Sequence, residues 1–184
     1  ILEILGEGIP LRSLRDFPGI PEAPEEGSTF EENALRKAIF VAGILNLPAL
    51  ADDSGLEVDA LNGAPGVRSA RFAGERATTA ENNAKLLGLM EAIPPERRKA
   101  RFRCAIALAL PDGTTRTVEG TCEGRILEAP RGSGGFGYDP LFVPVGHDRT
   151  FAELGPEVKN RISHRARALE AAREMILECI GPGS

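Results

Sequence analysis

The stretch RFRCAIALALPDGTTRTVEGTCEGRIL, residues 101–127, carries the clearest structural pattern in the chain. Over residues 101–110 large apolar side chains alternate with arginines and alanines, which predicts a strand whose small-residue face is closely covered. Asp112 and Gly113 form a typical hairpin turn. Residues 114–127 are therefore expected to return as a second long strand, antiparallel to the first.

Helical patterns lie on both sides of this hairpin. The first begins at Thr29, which forms a capping box with Glu32, and Pro48 is expected to end it. A second covers about residues 79–92 and a third covers residues 163–179. Helices interleaved with strands predict an α/β fold with a mixed, twisted sheet and flanking helices.

The composition is that of one globular domain, expected to span residues 1–184. The 22 Lys and Arg against 27 Asp and Glu give a net charge of −5, which argues against a general nucleic-acid binder. The longest apolar run, residues 104–110, is too short to span a membrane. An odd number of cysteines without metal-binding spacing predicts neither a disulfide framework nor a zinc site, and favours a cytoplasmic protein.

Two adjacent carboxylates, Asp52 and Asp53, lie between short strands predicted at residues 49–51 and 56–58. Neighbouring side chains in a strand point to opposite faces, so only one of the two should enter a given site. The pair either handles a divalent cation or a water nucleophile, or it marks a strand-end turn in which Asp accepts a local hydrogen bond. The residues alone leave both interpretations open.

A glycine-dense loop, residues 132–140, contains Phe136 and Tyr138 on either side of Gly137. Glycine lets a ligand approach the backbone closely, and an exposed aromatic ring can stack on a base. The loop is not a phosphate-binding P-loop, because no Gly-Lys-Ser/Thr follows it. It forms either a stacking platform for a base or a segment whose Phe136 packs into the core.

The third predicted helix has Ser163 as its N-cap, which places His164 and Arg165 in its first turn. Cations at this end of a helix oppose the helix dipole, so local stability does not explain them. A ligand that is anionic or rich in carbonyl groups would suit this helix start. Lys159, a few residues earlier, is either part of the same site or a solvated side chain.

Acidic residues before and within the first helix offer a metal site together with Asp53. Magnesium prefers oxygen ligands and retains several waters, so few protein carboxylates are needed. The candidates are Glu22, Glu25, Glu26 and Glu32, each of which is equally explained as a solvated surface residue.

These segments, in this order, resemble the inosine triphosphate pyrophosphatase family, also called non-canonical purine NTP pyrophosphatases. The resemblance implies hydrolysis of ITP, dITP and XTP to the monophosphate and pyrophosphate with Mg²⁺. It also implies a homodimer and two lobes around a central cleft. The matching motifs are TFEENA (29–34), ADDSGL (51–56), GAPGV (63–67), SARF (69–72), GFGYDP (135–140) and SHR (163–165).

The resemblance assigns roles to individual residues. Asp53 matches the catalytic carboxylate, and Ser54 matches a substrate contact. A family glutamate that helps hold the metal falls at Pro24 by counting, and Glu25 is the expected substitute, alongside Asp53. The residues implied to bind the base and sugar are Phe136, Gly137, Tyr138, Asp139, Lys159, His164 and Arg165.

The beginning of the chain departs from the family. Members begin with a short strand and a Thr-x-Asn-x-x-Lys loop that grips the triphosphate, and nothing before Ile9 matches it. Because residues 1–5 also have the pattern of a helix end, we expect a preceding segment to be missing and the chain as given to have little activity. Two alternative functions stay open: a Maf-like pyrophosphatase for modified pyrimidine nucleotides, and a non-catalytic nucleotide-binding module.

Overall fold

A computed structural model describes residues 2–5 and 9–180 of the chain. In this part of the chain four strands form one sheet in the order β1-β2-β3-β4. The strands are β1 (Ala49–Val58), β2 (Lys99–Ala109), β3 (Thr115–Ile126) and β4 (Phe142–Pro144). The helices are α1 (Leu2–Leu5), α2 (Phe30–Leu45), α3 (Thr79–Leu89), α4 (Phe151–Ile162) and α5 (His164–Ile180). None of them combines the length and apolarity that crossing a membrane requires.

The α/β class and the long β2–β3 hairpin are confirmed. The hairpin ladder runs from the pair Lys99–Arg125 to the pair Ala109–Thr115, and the turn is closed where Asp112 Oδ1 accepts a 2.9 Å hydrogen bond from the backbone of Thr114. The sheet differs from the expected mixed pairing, because every described strand pair is antiparallel. β1 and β2 run in opposite directions because the connection between them leaves and re-enters the sheet at the same end.

β1 corrects the prediction of two short strands. Its ladder with β2 is unbroken from Ala49 to Val58. Asp52 and Asp53 therefore lie inside a continuous strand, opposite Ile106 and Ala105, rather than at a strand end. The interpretation of the two carboxylates as a strand-end turn is wrong, since the backbone pairing on both sides of them continues.

Helix α2 covers the alanine face of β2. Ala105, Ala107 and Ala109 pack against three alanines of the helix. Small side chains on both surfaces allow the helix to lie close to the sheet. The predicted close cover is confirmed, and it comes from the same chain. The buried helix residues in this cluster are Phe30, Ala34, Ala38 and Ala42.

The ends of α2 differ in detail from the capping-box prediction. Thr29 is the N-cap, and its hydroxyl accepts a 3.1 Å hydrogen bond from the backbone of Glu32. The carboxylate of Glu32 instead accepts from the backbone and hydroxyl of Ser28, at 2.7 and 2.9 Å. The helix ends with Asn46 in the left-handed region, two residues before Pro48.

Helix α5 covers the opposite face of the sheet, where Cys104, Ile106 and Leu108 meet its apolar stripe. The helix approaches β3 so closely that a Cβ at Gly120 would lie 2.2 Å from the carbonyl oxygen of His164. Another apolar cluster, centred on aromatic residues, fills the far end of the long strands. The single two-lobed domain stays a prediction, and residues 1, 6–8 and 181–184, which belong to its expected span, lie outside the described residues.

Candidate active site

β1 distributes the predicted site residues over its two faces. Asp53 contacts α2, whereas Asp52 and Ser54 contact Arg165 at the start of α5. This is the alternation expected of a strand, and it confirms that the two aspartates lie on opposite faces of the sheet. We call the group on the α2 side, which consists of Asp53, Asn33, Lys37 and Glu25, the Asp53 site, and we call Asp52, Ser54 and Arg165 the Arg165 cluster.

The Asp53 site joins two carboxylates through one ammonium group. Lys37 Nζ donates to Asp53 Oδ1 at 3.2 Å and to Glu25 Oε1 at 2.9 Å. Burial disfavours the charged lysine, but the hydrogen bond to Glu25 and the charge of Asp53 outweigh it and raise the pKa of Lys37 above its usual value. The structure thus brings together the two residues that the resemblance assigned to a metal.

Asn33 fixes Asp53 relative to the loop that carries Glu25. Its Nδ2 donates to Asp53 Oδ2 at 2.9 Å, and its Oδ1 accepts from the backbone of Gly27 at 2.7 Å. The residue is 1% exposed, and a Cβ at Gly27 would lie 2.5 Å from the Asn33 oxygen. Sequence reasoning missed Asn33 and Lys37. The signal was a polar residue within the apolar stripe of α2, followed one turn later by a lysine.

The donor set suits a cation that is shared with a substrate. Among the described residues, no group of three or more His, Cys, Asp and Glu side chains could hold a metal ion. Magnesium is commonly bound through one or two carboxylates together with substrate phosphates and waters. Glu25 and Asp53, which converge on Lys37, supply that number of carboxylates, whereas Glu32 is engaged with Ser28.

The Arg165 cluster lies on the other face of β1. Arg165 donates to Asp52 Oδ2 through Nε at 3.2 Å and through Nη2 at 2.8 Å, and Nη2 also donates to Ser54 Oγ at 3.2 Å. Burial opposes its charge, but the carboxylate of Asp52 raises the pKa of Arg165. The guanidinium carbon lies 5.8 Å from the centre of the Phe136 ring. Ser54 and Arg165 are therefore brought together as predicted, with Asp52 as an additional member.

Phe136 exposes its ring at the edge of the glycine-dense loop. The residue is 61% exposed, so the alternative that it packs into the core is wrong. Lys159 Nζ lies 4.0 Å from the ring centre, and its side chain is only 13% exposed, so Lys159 is not simply solvated. The carbonyl oxygen of Gly137 accepts a 3.2 Å hydrogen bond from Asn83. The loop thus presents an aromatic surface bordered by a lysine.

Asp139 and Tyr138 use their polar groups inside the protein. The buried Asp139 carboxylate pairs with Lys159 and accepts a 2.8 Å hydrogen bond from the backbone of Phe136. Tyr138 is buried, and its hydroxyl donates to the carbonyl oxygen of Ser69 at 2.9 Å. Burial also raises the pKa of this tyrosine. Both residues shape the loop that carries Phe136.

His164 is buried and stacks on Phe102, with 4.8 Å between the ring centres. Burial, together with the positive charges of Arg165 and Lys159, lowers its pKa to about 3, so the imidazole is neutral at physiological pH. Its Nδ1 has no hydrogen-bond partner among the residues that the structure describes. Such an orphaned buried nitrogen is available to a ligand.

Two adjacent pockets of about 330 and 280 Å³ meet at Phe136 and His164. Lys159 and Arg165 line the larger pocket, and Ser54 lines the smaller one. Volumes of this size accommodate small organic ligands. The pockets therefore place the exposed ring, the orphaned imidazole and two cations around one ligand-sized space.

Comparisons with known proteins identify the family of this chain. The family model described as "Ham1 family" matches residues 1–175. The dITP/XTP pyrophosphatase of Desulforamulus reducens is 56% identical over 169 residues, which cover 92% of this chain and 84% of the relative. The dITP/XTP pyrophosphatase of Geobacillus kaustophilus is 54% identical over 174 residues, which cover 95% and 85%.

Solved structures show the same relationship. A HAM1 protein from Coxiella burnetii matches with a TM-score of 0.82 and 49% identity, over 86% of this chain and 82% of that protein. The Ham1 protein of Staphylococcus aureus matches with a TM-score of 0.83 and 42% identity, over 90% and 84%. The resemblance inferred from the ordered motifs is confirmed, and the chain belongs to the Ham1 family.

Proposed function

We propose that this protein hydrolyses the non-canonical purine nucleoside triphosphates ITP, dITP and XTP to the monophosphate and pyrophosphate. Curated relatives at 52–57% identity are named dITP/XTP pyrophosphatases. The observation that carries the proposal lies on β1. It presents a carboxylate anchored by Lys37 and, one residue later, a serine that accepts a hydrogen bond from Arg165, whose guanidinium borders the Phe136 ring. One strand thus offers groups for both phosphate chemistry and base recognition.

The cations near Phe136 account for selectivity toward 6-oxo purines. Hypoxanthine and xanthine carry a hydrogen-bond acceptor at position 6, whereas adenine carries a donor there. Arg165 and Lys159 can only donate, so adenine would leave donors facing donors, which gives strong discrimination. Guanine shares the 6-oxo group, and its rejection depends on the substituent at position 2.

Hydrolysis would take place at the Asp53 site. Cleavage of a phosphoanhydride depends mainly on positioning and charge neutralisation. In this proposal Asp53, oriented by Asn33, accepts a proton from the attacking water, and the Lys37 ammonium offsets charge on the phosphates. The alternation along β1 keeps this carboxylate apart from Arg165, so proton transfer and base binding are served by different side chains.

The proposal includes Mg²⁺ as the cofactor, held by Asp53 and Glu25 together with oxygens of the substrate. A divalent cation bound there supplies charge neutralisation to the phosphate groups. Its support is the convergence of the two carboxylates on one positive group, Lys37 Nζ, with oxygen ligands of the kind that magnesium prefers.

We also propose that the protein is a cytoplasmic homodimer. The outward side of α2 and the turn after it expose Ile39, Ile44 and Leu47, while the other side of α2 covers the sheet. Pairing of two copies would remove these apolar side chains from water. Light scattering at micromolar protein should give a dimer mass, and a monomer mass would overturn this part of the proposal. All three cysteines are free thiols, which suits a reducing compartment.

The test is a substrate panel with Mg²⁺, in which release of pyrophosphate and of orthophosphate is measured separately. Pyrophosphate should be released from ITP, dITP and XTP at least roughly tenfold faster than from ATP, whatever the absolute rate. Preferential turnover of dTTP or UTP would instead support the Maf-like alternative. Tight IMP binding without turnover of any triphosphate would support a non-catalytic module. The Asp53→Asn variant is the control for contaminating phosphatases.

A further inference from the structure

Asp52 has no role in the chemistry described so far, although it makes the closest contacts of the Arg165 side chain. Both Nε and Nη2 of Arg165 donate to the same carboxylate oxygen, at 3.2 and 2.8 Å. We propose that Asp52 is a positioning residue for substrate specificity, which acts by holding the Arg165 guanidinium in the orientation that recognises a 6-oxo purine. This inference rests on the proposed function.

The backbone of Asp52, to which Arg165 is anchored, is held in place by the sheet. Asp52 lies inside β1 and is paired with Ile106 of the central strand β2, so its backbone position is set by the sheet. Ser54, two residues further on the same face, accepts a third hydrogen bond from Arg165 Nη2 at 3.2 Å. A free arginine must lose several rotamers when it binds a ligand, and an arginine already held loses fewer. Asp52 therefore reduces the entropic cost of using Arg165.

The contacts also determine which nitrogens of the Arg165 guanidinium donate hydrogen bonds to β1. β1 takes the edge formed by Nε and Nη2, and Nη1 is the nitrogen that these three hydrogen bonds leave unused. A guanidinium with a fixed orientation presents a donor that an adenine amino group cannot satisfy. A guanidinium released from Asp52 could turn away, and the penalty against adenine would shrink.

The groups around Asp52 leave Arg165 as the charged partner of its carboxylate in the described contacts. Cys104 Sγ lies 3.9 Å from the same oxygen, Oδ2. Burial, with the nearby carboxylate of Asp52, raises the pKa of the Cys104 thiol to about 12, so the thiol stays neutral. Of the groups facing Asp52 from β2 and α5, Arg165 is the charged one in the described contacts. Removing the carboxylate would therefore release Arg165 rather than uncover another ion pair.

The variants that test this are Asp52→Asn, Asp52→Glu and, as a matched control, Asp59→Asn. Asp59 forms a similar ion pair with Arg101, at 2.9 Å, and the exposed fractions of the two aspartate side chains are comparable, 45% and 31%. Asp52→Asn should raise the KM for ITP roughly tenfold, with kcat changed less than about threefold and the KM for ATP unchanged. Asp52→Glu should recover part of the loss, and Asp59→Asn should behave as the wild type.

A double-mutant cycle with Arg165→Ala separates positioning from a general structural effect. If Asp52 acts through Arg165, then Asp52→Asn should have no further effect on the ITP KM in the Arg165→Ala background. Additive effects would overturn the inference, and so would an equal loss for ITP and ATP. A fall in kcat at unchanged KM would also overturn it, because Asp52 would then act on the reacting atoms.

Binding of IMP and AMP, measured by calorimetry, provides a readout that does not require turnover. Asp52→Asn should weaken IMP binding by the same factor as the KM for ITP and leave AMP binding unchanged. A wild-type protein that hydrolyses none of the purine triphosphates but loses IMP affinity in Asp52→Asn would refute the proposed function and not this inference. If Asp52→Asn fails to fold, Asp52→Glu is compared with the wild type instead: it displaces the charge by one methylene, so a smaller rise in the KM for ITP is expected with the KM for ATP unchanged, and an equal change for both nucleotides would overturn the inference.

Discussion

The two faces of β1 differ in what they hold, although the side chains concerned are neighbours in the sequence. On the α2 face, Asp53 is bound by a buried amide and an ammonium, Asn33 and Lys37. On the α5 face, Asp52 binds a guanidinium that borders an exposed aromatic ring. One strand thereby separates the proposed centre of phosphate chemistry from the proposed base-binding site. A register shift of one residue would exchange the two carboxylates.

The helices on the two faces also pack differently. α2 lies on alanines, so its contact surface is flat and uniform. α5 lies on larger residues of β2 and approaches β3 closely at Gly120. The start of α5, which bears His164 and Arg165, therefore packs where no side chain larger than glycine fits on β3. Positioning of the base-binding groups should be more sensitive to packing than positioning of Asp53.

The largest expected effect concerns the α2 face. Asp53→Asn keeps the size of the side chain and removes the proton acceptor, so we expect kcat for ITP to fall by about 10²–10⁴-fold. The melting temperature should fall modestly, because both oxygens of Asp53 accept hydrogen bonds and the new amide nitrogen would face a donor of Lys37 or Asn33. Steady-state kinetics checks this, with Asp59→Asn as the control, since Asp59 pairs with Arg101 and belongs to neither group on β1. Near-normal turnover by Asp53→Asn would remove Asp53 from the mechanism.

The next effect concerns the α5 face. Arg165→Ala should cost about 1–3 kcal/mol in kcat/KM for ITP, because a charge-assisted hydrogen bond to the base is lost. The cost for ATP should be much smaller. Arg167→Ala is the matched control, since Arg167 lies on the same helix and donates to the carbonyl oxygen of Thr121. Equal losses for both nucleotides would mean that Arg165 serves the phosphates or the fold.

Substitutions at two glycines test the difference in packing between α2 and α5. A Cβ at Gly120 would meet backbone atoms of α5 that cannot give way, so Gly120→Ala should destabilise the protein by about 1–3 kcal/mol. Gly43 lies in α2 with open space around it, and Gly43→Ala should stabilise by about 0.5–1 kcal/mol. Urea unfolding of both variants should therefore give shifts of opposite sign. Shifts of the same sign would contradict the packing described for the two helices.

The sequence predicted the hairpin and the helices α2, α3 and α5 because each has a clear local periodicity, whereas α4 was not predicted. It did not predict β1 as one strand, since two aspartates, a serine and a glycine in succession are poor strand residues, and pairing with β2 overrides their preference. The contacts of Asn33, Lys37 and Asp52 were not predicted for another reason. Their roles depend on which helix lies on which face of β1, and a single strand pattern does not contain that information.

The internal roles of Tyr138 and Asp139 were also beyond the sequence. A tyrosine and an aspartate in a glycine-dense loop suit ligand contacts as well as loop-internal hydrogen bonds, and burial alone separates the two. Phe136 shows the opposite outcome, since the same loop leaves its ring exposed. Burial of individual loop residues depends on tertiary packing, here against Ser69 and Lys159.

The smallest effect at neutral pH concerns His164, which stacks on Phe102 on the α5 face. Its pKa is lowered to about 3 by burial and by nearby cations, so the unfolded chain, with a usual pKa near 6.5, binds this proton more readily. His164 should therefore cost no stability above about pH 6.5 and increasingly destabilise the fold as the pH falls from there toward 3.

Urea unfolding of the wild type and of His164→Gln between pH 7 and pH 4 measures this. The decrease in the free energy of unfolding on acidification should be smaller for His164→Gln, because glutamine takes up no proton. His147→Gln is the control, since it makes the same replacement at an exposed histidine away from the α5 face. An NMR titration of His164 with a midpoint near 6.5 would contradict the prediction. It would mean that the α5 face admits a charged imidazole, and the base site would then carry a third cation beside Arg165 and Lys159.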